Sequence, residues 1–216
     1  MGRVADSASP TAEDLKAAVA AVMQLTAALS TAKPRELAAV FGTHHILLTD
    51  GACEPQGHEG LIKATAGAVL VAANGKCLFF GLAVPRHVCL ALGADTTDFI
   101  IQQIELLPIR SALWTFREIL RGCAFVGFVD NEGARHAVIG AYTRGARGIG
   151  LVDAIGNEIA ELQAHPWWAR VPSPSNLADA PSRLDFEDLR GRGAREAIVS
   201  GPDGACLRWQ ALVRLL

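Results

Sequence analysis

The segment TAGAVLVAANGKCLFFGLAV, residues 65–84, decides the predicted fold. It contains two apolar runs, Thr65–Ala73 and Lys76–Val84, which are joined by the dipeptide Asn74-Gly75. Asn-Gly between two such runs is the strongest local signal for a β-hairpin, because both residues tolerate the positive φ of a tight turn. The segment therefore predicts two antiparallel strands.

A third strand is predicted upstream of this hairpin. The run His45–Asp50 is apolar enough for a buried strand, and Gly51 is predicted to begin a turn. Pro55 and Gly57 predict a loop over Cys53–Lys63, between this strand and the hairpin. The first three strands are thus predicted to form an antiparallel meander.

Downstream of the hairpin, helix and strand patterns alternate. Helices are predicted over residues 99–121, Asn131–Tyr142, Gly148–Gln163 and Ala180–Leu189, and strands over Ala124–Val129 and Trp167–Val171. Pro108 falls inside the first of these helices and should either kink it or mark its first turn. The order β-β-β-α-β-α-α-β-α predicts an α/β fold: a mixed five-stranded sheet, three antiparallel strands followed by parallel units, flanked by helices.

This predicted domain spans residues 44–189, and two segments flank it. Residues 1–43 are predicted to be a helical lead-in, with one helix beginning after Thr11 and a short second helix at Pro34. Residues 190–216 form a C-terminal extension of ambiguous structure. No internal repeat is present.

Composition restricts the class of protein. Half of the residues are hydrophobic and 19% are charged, which favours a folded core over disorder. The formal net charge of −2 excludes a strongly basic surface, so binding to a nucleic acid would depend on local contacts or metal ions. The five cysteines lack zinc-site spacing, and no signal peptide or membrane-spanning run is recognised. A soluble protein of the cytoplasm or nucleus, without a membrane partner, is therefore expected.

Four acidic residues fall where a sheet of this kind would place a ligand site. Asp50 ends the first predicted strand, Asp130 ends the fourth, Glu105 lies in the first core helix, and Asp179 lies at the start of the last helix. Each has an ordinary local interpretation as well. Asp50 could be a turn residue, Asp130 and Asp179 could cap helices, and Glu105 could be an exposed helical acid.

The four acids can bind metal ions together only if the fold brings their side chains close to one another. Should the first and fourth strands be neighbours, Asp50 and Asp130 would lie side by side at one edge of the sheet. Carboxylates that close repel one another unless a cation neutralises them, and oxygen ligands suit Mg²⁺ or Mn²⁺. Two such ions can activate a water molecule and stabilise the leaving oxygen of a phosphodiester. Convergence would therefore indicate a two-metal hydrolase.

Four segments resemble the signature segments of type 1 ribonuclease H, in the family's order. They are Thr49-Asp50-Gly51-Ala52, Gln103-Ile104-Glu105-Leu106-Leu107, Phe128-Val129-Asp130-Asn131 and Asn176-Leu177-Ala178-Asp179. The stretch from Trp168 to Arg183 is similar to ribonuclease H domains attached to retroelement reverse transcriptases. The resemblance implies a ribonuclease H-like fold and hydrolysis of the RNA strand of RNA–DNA hybrids. It also implies a retroelement origin, with a reverse transcriptase domain as a possible upstream partner in a polyprotein.

The resemblance further implies a role for each acid. Asp50 would bridge two Mg²⁺ or Mn²⁺ ions, Glu105 and Asp130 would hold the ion near the leaving group, and Asp179 the ion near the attacking water. Gln102, Asn131 and Glu132 match positions that contact the minor groove of the hybrid. Many family members carry a histidine in the loop before the last aspartate, where this chain has Ser173-Pro174-Ser175. Slower product release is expected from that difference.

Two arginines are candidates for contacts to the hybrid's backbone. They are Arg144 and Arg147, in a glycine-rich turn between helices.

Two alternative functions remain open. They are another nuclease of the same fold, such as a resolvase or exonuclease, and a non-catalytic domesticated interaction module. A panel of nucleic-acid substrates distinguishes another nuclease from a hybrid-specific ribonuclease. Absence of magnesium binding would favour the non-catalytic module.

Overall fold

The computed structural model describes residues 11–31, 44–56, 61–93, 100–143 and 146–201. The chain divides into two compact units, Met1–Phe41 and Gly42–Leu216. In the first unit, helix α1 spans Ala12–Thr31, in agreement with the first helix predicted for the lead-in. The second predicted helix, at Pro34, lies outside the described residues.

The second unit is built on one mixed sheet of six strands. The strands are β1 His45–Gln56, β2 Leu61–Val71, β3 Cys77–Val84, β4 Ala124–Val129, β5 His165–Arg170 and β6 Arg195–Glu196, in the order β5-β4-β1-β2-β3-β6. Strands β1, β2 and β3 are antiparallel neighbours, whereas β4 and β5 run parallel to β1. The predicted meander followed by parallel units is therefore confirmed. The strand that sequence reasoning did not predict is β6, which adds two residues alongside β3.

Seven helices of this unit pack on the described part of the sheet or connect its strands. They are α2 Arg86–Leu92, α3 Ile101–Thr115, α4 Arg117–Leu120, α5 Glu132–Gly140, α6 Ala146–Leu162, α7 Asp179–Ser182 and α8 Glu187–Gly191. A single turn of 3₁₀ helix, Ser173–Ser175, follows β5. Of the described helices, none is both long enough and apolar enough to span a membrane.

Side chains on the two faces of the sheet build two hydrophobic cores. The larger core joins one face to the long helices; its members include Leu47, Phe80, Leu107 and Ile155. The smaller core joins the other face, through Leu48 and other residues, to the α7–α8 region. Because side chains alternate along a strand, residues 48 and 50 share the face of the smaller core, whereas residue 51 faces α3.

Several boundaries differ from the predictions. Strand β1 does not end at Asp50 but continues to Gln56, and β2 begins at Leu61, so the predicted loop over Cys53–Lys63 is wrong over most of its length. The cross-strand partners of these residues explain the difference, since β1 and β2 remain paired as far as Gln56 and Leu61. The strands therefore extend further into this segment than the local turn signals of Gly51 and Pro55 predict.

The helical predictions needed three corrections. The predicted helix at 99–121 is two helices, α3 and α4, which meet at Phe116, while Pro108 lies inside α3. The single helix predicted over Ala180–Leu189 is wrong, because the chain turns at Leu184, whose φ is 61°, between α7 and α8. Helix α2 was not predicted at all.

Candidate metal centre

Asp50 and Asp130 lie at the point where β4 ends beside β1. The last residue pair of these parallel strands is Thr49 with Val129. Asp50 is the next residue of β1 and Asp130 is the first residue after β4, so the chain places two carboxylates side by side. This is the adjacency that the sequence predicted on the condition that the first and fourth strands are neighbours.

Glu105 reaches the same point from α3, on the opposite face of the sheet. Its position depends on Gly51, because a Cβ atom at Gly51 would lie 2.5 Å from the backbone oxygen of Ile104. Only a residue without a side chain allows α3 to approach β1 this closely. The backbone N–H of Gly51 then donates a 3.1 Å hydrogen bond to Glu105 Oε2.

Asp50, Glu105 and Asp130 form one carboxylate cluster. One ligand oxygen from each lies within 4.8 Å of those of the other two. Asp50 and Glu105 are buried, each with 5% of its surface exposed, and Asp130 is half-buried. Three acidic side chains are thus held together with little access to water.

Asp179 lies outside this cluster, at the first residue of α7. The position of α7 depends on Gly67, the cross-strand partner of Asp50, because a Cβ atom there would lie 2.3 Å from the Ser182 backbone nitrogen. Asp179 Oδ1 accepts hydrogen bonds from Arg183, the closer at 3.1 Å. Its charge is near enough to raise the pKa of Asp50. Three of the four predicted acids therefore meet, and the fourth lies beside them.

The ordinary local interpretations of these acids do not hold. Asp50 lies within a continuous strand, not in a turn. Asp130 does not cap α5; the capping residue is Asn131, whose side-chain oxygen accepts from the Ala134 N–H. Asp179 follows the cap position of α7, and Glu105 is buried. Each acid is placed by tertiary packing.

Among the described residues, each carboxylate of the cluster accepts one hydrogen bond. The Ser182 hydroxyl donates to Asp50 Oδ2, the Gly51 N–H to Glu105 Oε2, and the Ser173 hydroxyl to Asp130 Oδ2 at 2.9 Å. The second oxygen of Asp130, Oδ1, is buried without a partner among the described residues. Sequence reasoning missed both serines, although Ser173 stands in the loop that lacks the histidine.

The electrostatics of the cluster disfavour three negative charges. Burial, followed in importance by the neighbouring acids, raises the pKa of Glu105 to about 9. Burial also raises the pKa of Asp50 to about 6, although the hydrogen bond from Ser182 opposes this shift. Without a cation, Glu105 therefore retains its proton at neutral pH.

The residues present fit a divalent metal ion. All the donors are carboxylate oxygens, which suit Mg²⁺ or Mn²⁺, and the unpartnered Oδ1 of Asp130 is an acceptor that a cation would satisfy. A buried polar atom without a partner is costly in a protein that binds nothing there. The cluster is therefore a candidate metal centre.

Two of the predicted substrate-binding residues border this centre. The Gln102 side-chain amide donates a 3.0 Å hydrogen bond to the Gly133 oxygen, which brings the start of α3 beside the start of α5. Asn131 lies at the same place, next to Asp130. Its side-chain oxygen is used in capping, which leaves its amide N–H groups for other partners.

The other three predicted substrate-binding residues are less well placed or not described. Glu132 is bound by Arg135, through contacts of 2.7 and 2.9 Å that lower the pKa of Glu132. Arg144 lies outside the described residues. Arg147 lies in the first turn of α6, and its side chain is not described.

Comparisons with known proteins found similar folds only among solved structures. RNase H1 from the archaeon Halobacterium salinarum is 18% identical with a TM-score of 0.49, and the alignment covers 67% of this chain and 98% of that one. LC11-RNase H1 from compost, in complex with an RNA/DNA hybrid, is 12% identical with a TM-score of 0.44, covering 68% and 99%. The N-terminal RNase H domain of a Mycobacterium tuberculosis protein is 12% identical with a TM-score of 0.44, covering 71% and 100%. The chain matches no protein-family model and no curated protein.

Proposed function

We propose that this protein is a divalent-metal-dependent endonuclease that hydrolyses the RNA strand of RNA–DNA hybrids. The observation that carries the proposal is the convergence of Asp50, Glu105 and Asp130, whose ligand oxygens lie within 4.8 Å of one another. These are the acids of three sequence segments that resemble type 1 ribonuclease H. A buried, oxygen-only site of this kind suits phosphodiester chemistry better than a structural role.

The chain's own residues would hold the metal ions and fix their ligands. Asp50, Glu105 and Asp130 supply oxygen ligands, and Asp179 is the fourth acid that the resemblance implies. When bound, divalent ions lower the pKa of water and stabilise the charge on the leaving oxygen of the phosphodiester. The N–H of Gly51 holds one oxygen of Glu105. Arg183 holds Asp179 from the solvent side.

Two amide side chains at the edge of the centre are proposed to select the RNA strand. Gln102 uses its NH₂ group within the protein, which leaves its oxygen as an acceptor. Asn131 uses its oxygen as the cap of α5, which leaves its NH₂ group as a donor. A 2′-hydroxyl both donates and accepts hydrogen bonds, so one acceptor and one donor suit it. We also propose Arg144 and Arg147 as contacts to the hybrid's backbone.

The origin of the chain is a separate proposal. The resemblance of the stretch from Trp168 to Arg183 to retroelement ribonuclease H domains supports descent from a reverse transcriptase polyprotein. On this proposal, residues 1–43 would correspond to a connector from an upstream polymerase domain.

The test is a panel of labelled substrates, comprising an RNA–DNA hybrid, single-stranded RNA, double-stranded RNA and double-stranded DNA, with Mg²⁺ or EDTA. We expect internal cleavage of the RNA strand of the hybrid, dependence on Mg²⁺, and loss of about 1,000-fold or more in Asp50→Asn and Asp130→Asn. Asp153→Asn, at an exposed position of α6, is the matched control and should cleave normally.

Other results of this assay would favour one of the two alternative functions. Cleavage of double-stranded DNA would indicate another nuclease of this fold. A wild-type protein that neither cleaves the hybrid nor binds Mg²⁺ would contradict the proposal and favour the non-catalytic interaction module.

A further inference from the structure

We propose that Ser173 and Ser182 are positioning residues of the metal centre, each holding one oxygen of a carboxylate so that the other oxygen is left for a divalent ion. This inference rests on the proposed function. The supporting observation is that, in the part of the chain that the structure describes, the three clustered carboxylates have one hydrogen-bond donor each, and that two of these donors are serine hydroxyls from different elements.

Ser182 connects α7 to the central strand. Its side chain is fully buried, and its hydroxyl lies within hydrogen-bonding distance of both Asp50 Oδ2 and the backbone oxygen of Asp179. A hydroxyl has one proton to donate, and an ionised carboxylate is a stronger acceptor than a peptide carbonyl. When a cation keeps Asp50 ionised, the proton therefore belongs to the hydrogen bond with Asp50.

The packing around Ser182 leaves it little freedom to move. Its backbone lies against Gly67, where an added Cβ would be 2.3 Å from the Ser182 nitrogen. Gly67 is also the cross-strand partner of Asp50. Ser182, packed against β2 at Gly67, therefore places its hydroxyl next to the Asp50 carboxylate on β1. The same contact sets the position of α7, which begins at Asp179, relative to β2.

Ser173 performs the equivalent task for Asp130, from an exposed position. It begins the 3₁₀ turn after β5, and its hydroxyl donates at 2.9 Å to Asp130 Oδ2. The other oxygen of Asp130 is then the buried acceptor without a partner among the described residues. Ser173 thus fixes which oxygen of Asp130 remains for a cation.

Residues that hydrogen-bond to metal ligands fix the orientation of those ligands, and their loss commonly costs 10- to 100-fold in metal affinity or activity. The serines differ from the acids in one testable respect. Their removal takes away no metal ligand and no charge, so any loss of metal affinity must act through the acid that remains, which has lost the hydrogen bond that held one of its oxygens.

The test is calorimetric titration of the full chain with Mg²⁺ and with Mn²⁺, without nucleic acid. We expect Ser173→Ala and Ser182→Ala to bind at least about 10-fold more weakly than the wild type. Ser173→Thr keeps a hydroxyl at an exposed position and should restore binding to within about threefold. Ser175→Ala removes a hydroxyl from the same turn that has no partner among the described residues, and should bind normally.

A second readout separates positioning from folding. Circular dichroism melts should show all four variants folded, and hybrid cleavage by the two alanine variants should have a reduced kcat with KM for the hybrid unchanged. Equal metal affinity of wild type, Ser173→Ala and Ser182→Ala would overturn this inference alone. Failure of the wild type to bind either ion would instead remove the proposed function, and this inference with it.

Discussion

Gly51 and Glu105 are joined at the closest approach of α3 to the sheet, where the Gly51 N–H donates to Glu105 Oε2 at 3.1 Å. The same glycine leaves no room for a side chain, since its Cβ would lie 2.5 Å from the Ile104 oxygen and 2.9 Å from the Glu105 nitrogen. One residue therefore sets both the position of the helix and the orientation of its carboxylate. The packing of α3 on β1 and the geometry of the candidate metal centre therefore depend on the same residue.

Gly51→Ala should consequently damage both stability and activity. The added methyl group meets backbone atoms, which cannot rotate away, so α3 must shift from β1 at a cost of about 1–3 kcal/mol. Urea unfolding and hybrid cleavage measure the two effects, and we expect at least about a 100-fold loss of cleavage. Gly156→Ala, in the exposed interior of α6 with nothing within 4 Å, is the control and should stabilise by up to about 1 kcal/mol. Full activity of Gly51→Ala would refute this role.

The metal-free protein should lose stability as the pH rises from 5 to 9. The folded-state pKa values of Asp50, about 6, and Glu105, about 9, lie above their ordinary values of 3.8 and 4.5. The folded protein therefore binds more protons than the unfolded chain in this range, and the associated stability disappears as pH rises through the folded-state values. Urea unfolding in EDTA tests this prediction.

Two comparisons extend the pH prediction. Added Mg²⁺ should stabilise more strongly at pH 9 than at pH 5, because its binding requires deprotonated ligands. Glu105→Gln, which keeps an acceptor for the Gly51 N–H but cannot ionise, should be more stable than the wild type in EDTA at pH 8 by about 1 kcal/mol or more. A Glu105→Gln protein that follows the wild-type pH profile in EDTA would show that Glu105 does not cause the loss.

Asn176→Ala should loosen the loop that carries Asp179. The buried Asn176 side chain donates to the Thr49 backbone oxygen and accepts from the Ala178 N–H, both at 3.1 Å. The variant leaves a buried backbone oxygen without its donor, at a cost of about 1–3 kcal/mol. Differential scanning calorimetry measures the loss. Leu177→Ala, at the exposed neighbouring position, should change stability by less than about 0.5 kcal/mol; equal effects of the two variants would exclude this explanation.

Substitutions of Asn131 should separate its structural role from its proposed role in substrate binding. Asn131→Ser keeps an oxygen that can cap α5 but lacks the amide donor, so KM for the hybrid should rise several-fold with stability nearly unchanged. Asn131→Ala should raise KM as well and also lose about 1 kcal/mol of stability. Steady-state kinetics measure the role of Asn131 in substrate binding, and urea unfolding measures its role as the cap of α5. A normal KM in Asn131→Ser would remove Asn131 from the substrate contacts.

Sequence patterns predicted the sheet but not the close contacts that build the site. The Asn74-Gly75 hairpin and the alternating elements predicted the mixed sheet, but the adjacency of Asp50 and Asp130 was predicted only on the condition that the first and fourth strands are neighbours, which the strand order confirms. Gly51 was interpreted as a turn because, within the sequence alone, nothing distinguishes a turn glycine from one that accommodates a neighbouring helix. That distinction depends on α3, which is far away in the chain.

The serines and the break between α7 and α8 show the same limit. Ser182 lies three residues after Asp179, but the partner of its hydroxyl, Asp50, lies on another element. Leu184 adopts a φ of 61°, which a leucine rarely does, and local propensity gives no warning of it. These features, imposed by tertiary packing, were therefore missed, whereas the Asn74-Gly75 hairpin and helices α5 and α6, encoded in local sequence patterns, were predicted.

The most direct test of the central claim is to locate Mn²⁺ by anomalous X-ray diffraction from crystals of the full chain grown with the ion. We predict an anomalous peak coordinated by oxygens of Asp50, Glu105 and Asp130, and no peak at that position in Asp50→Asn crystals. A fully ordered centre without a Mn²⁺ peak, or Mn²⁺ bound only elsewhere on the molecule, would contradict the claim that these three acids share a divalent ion.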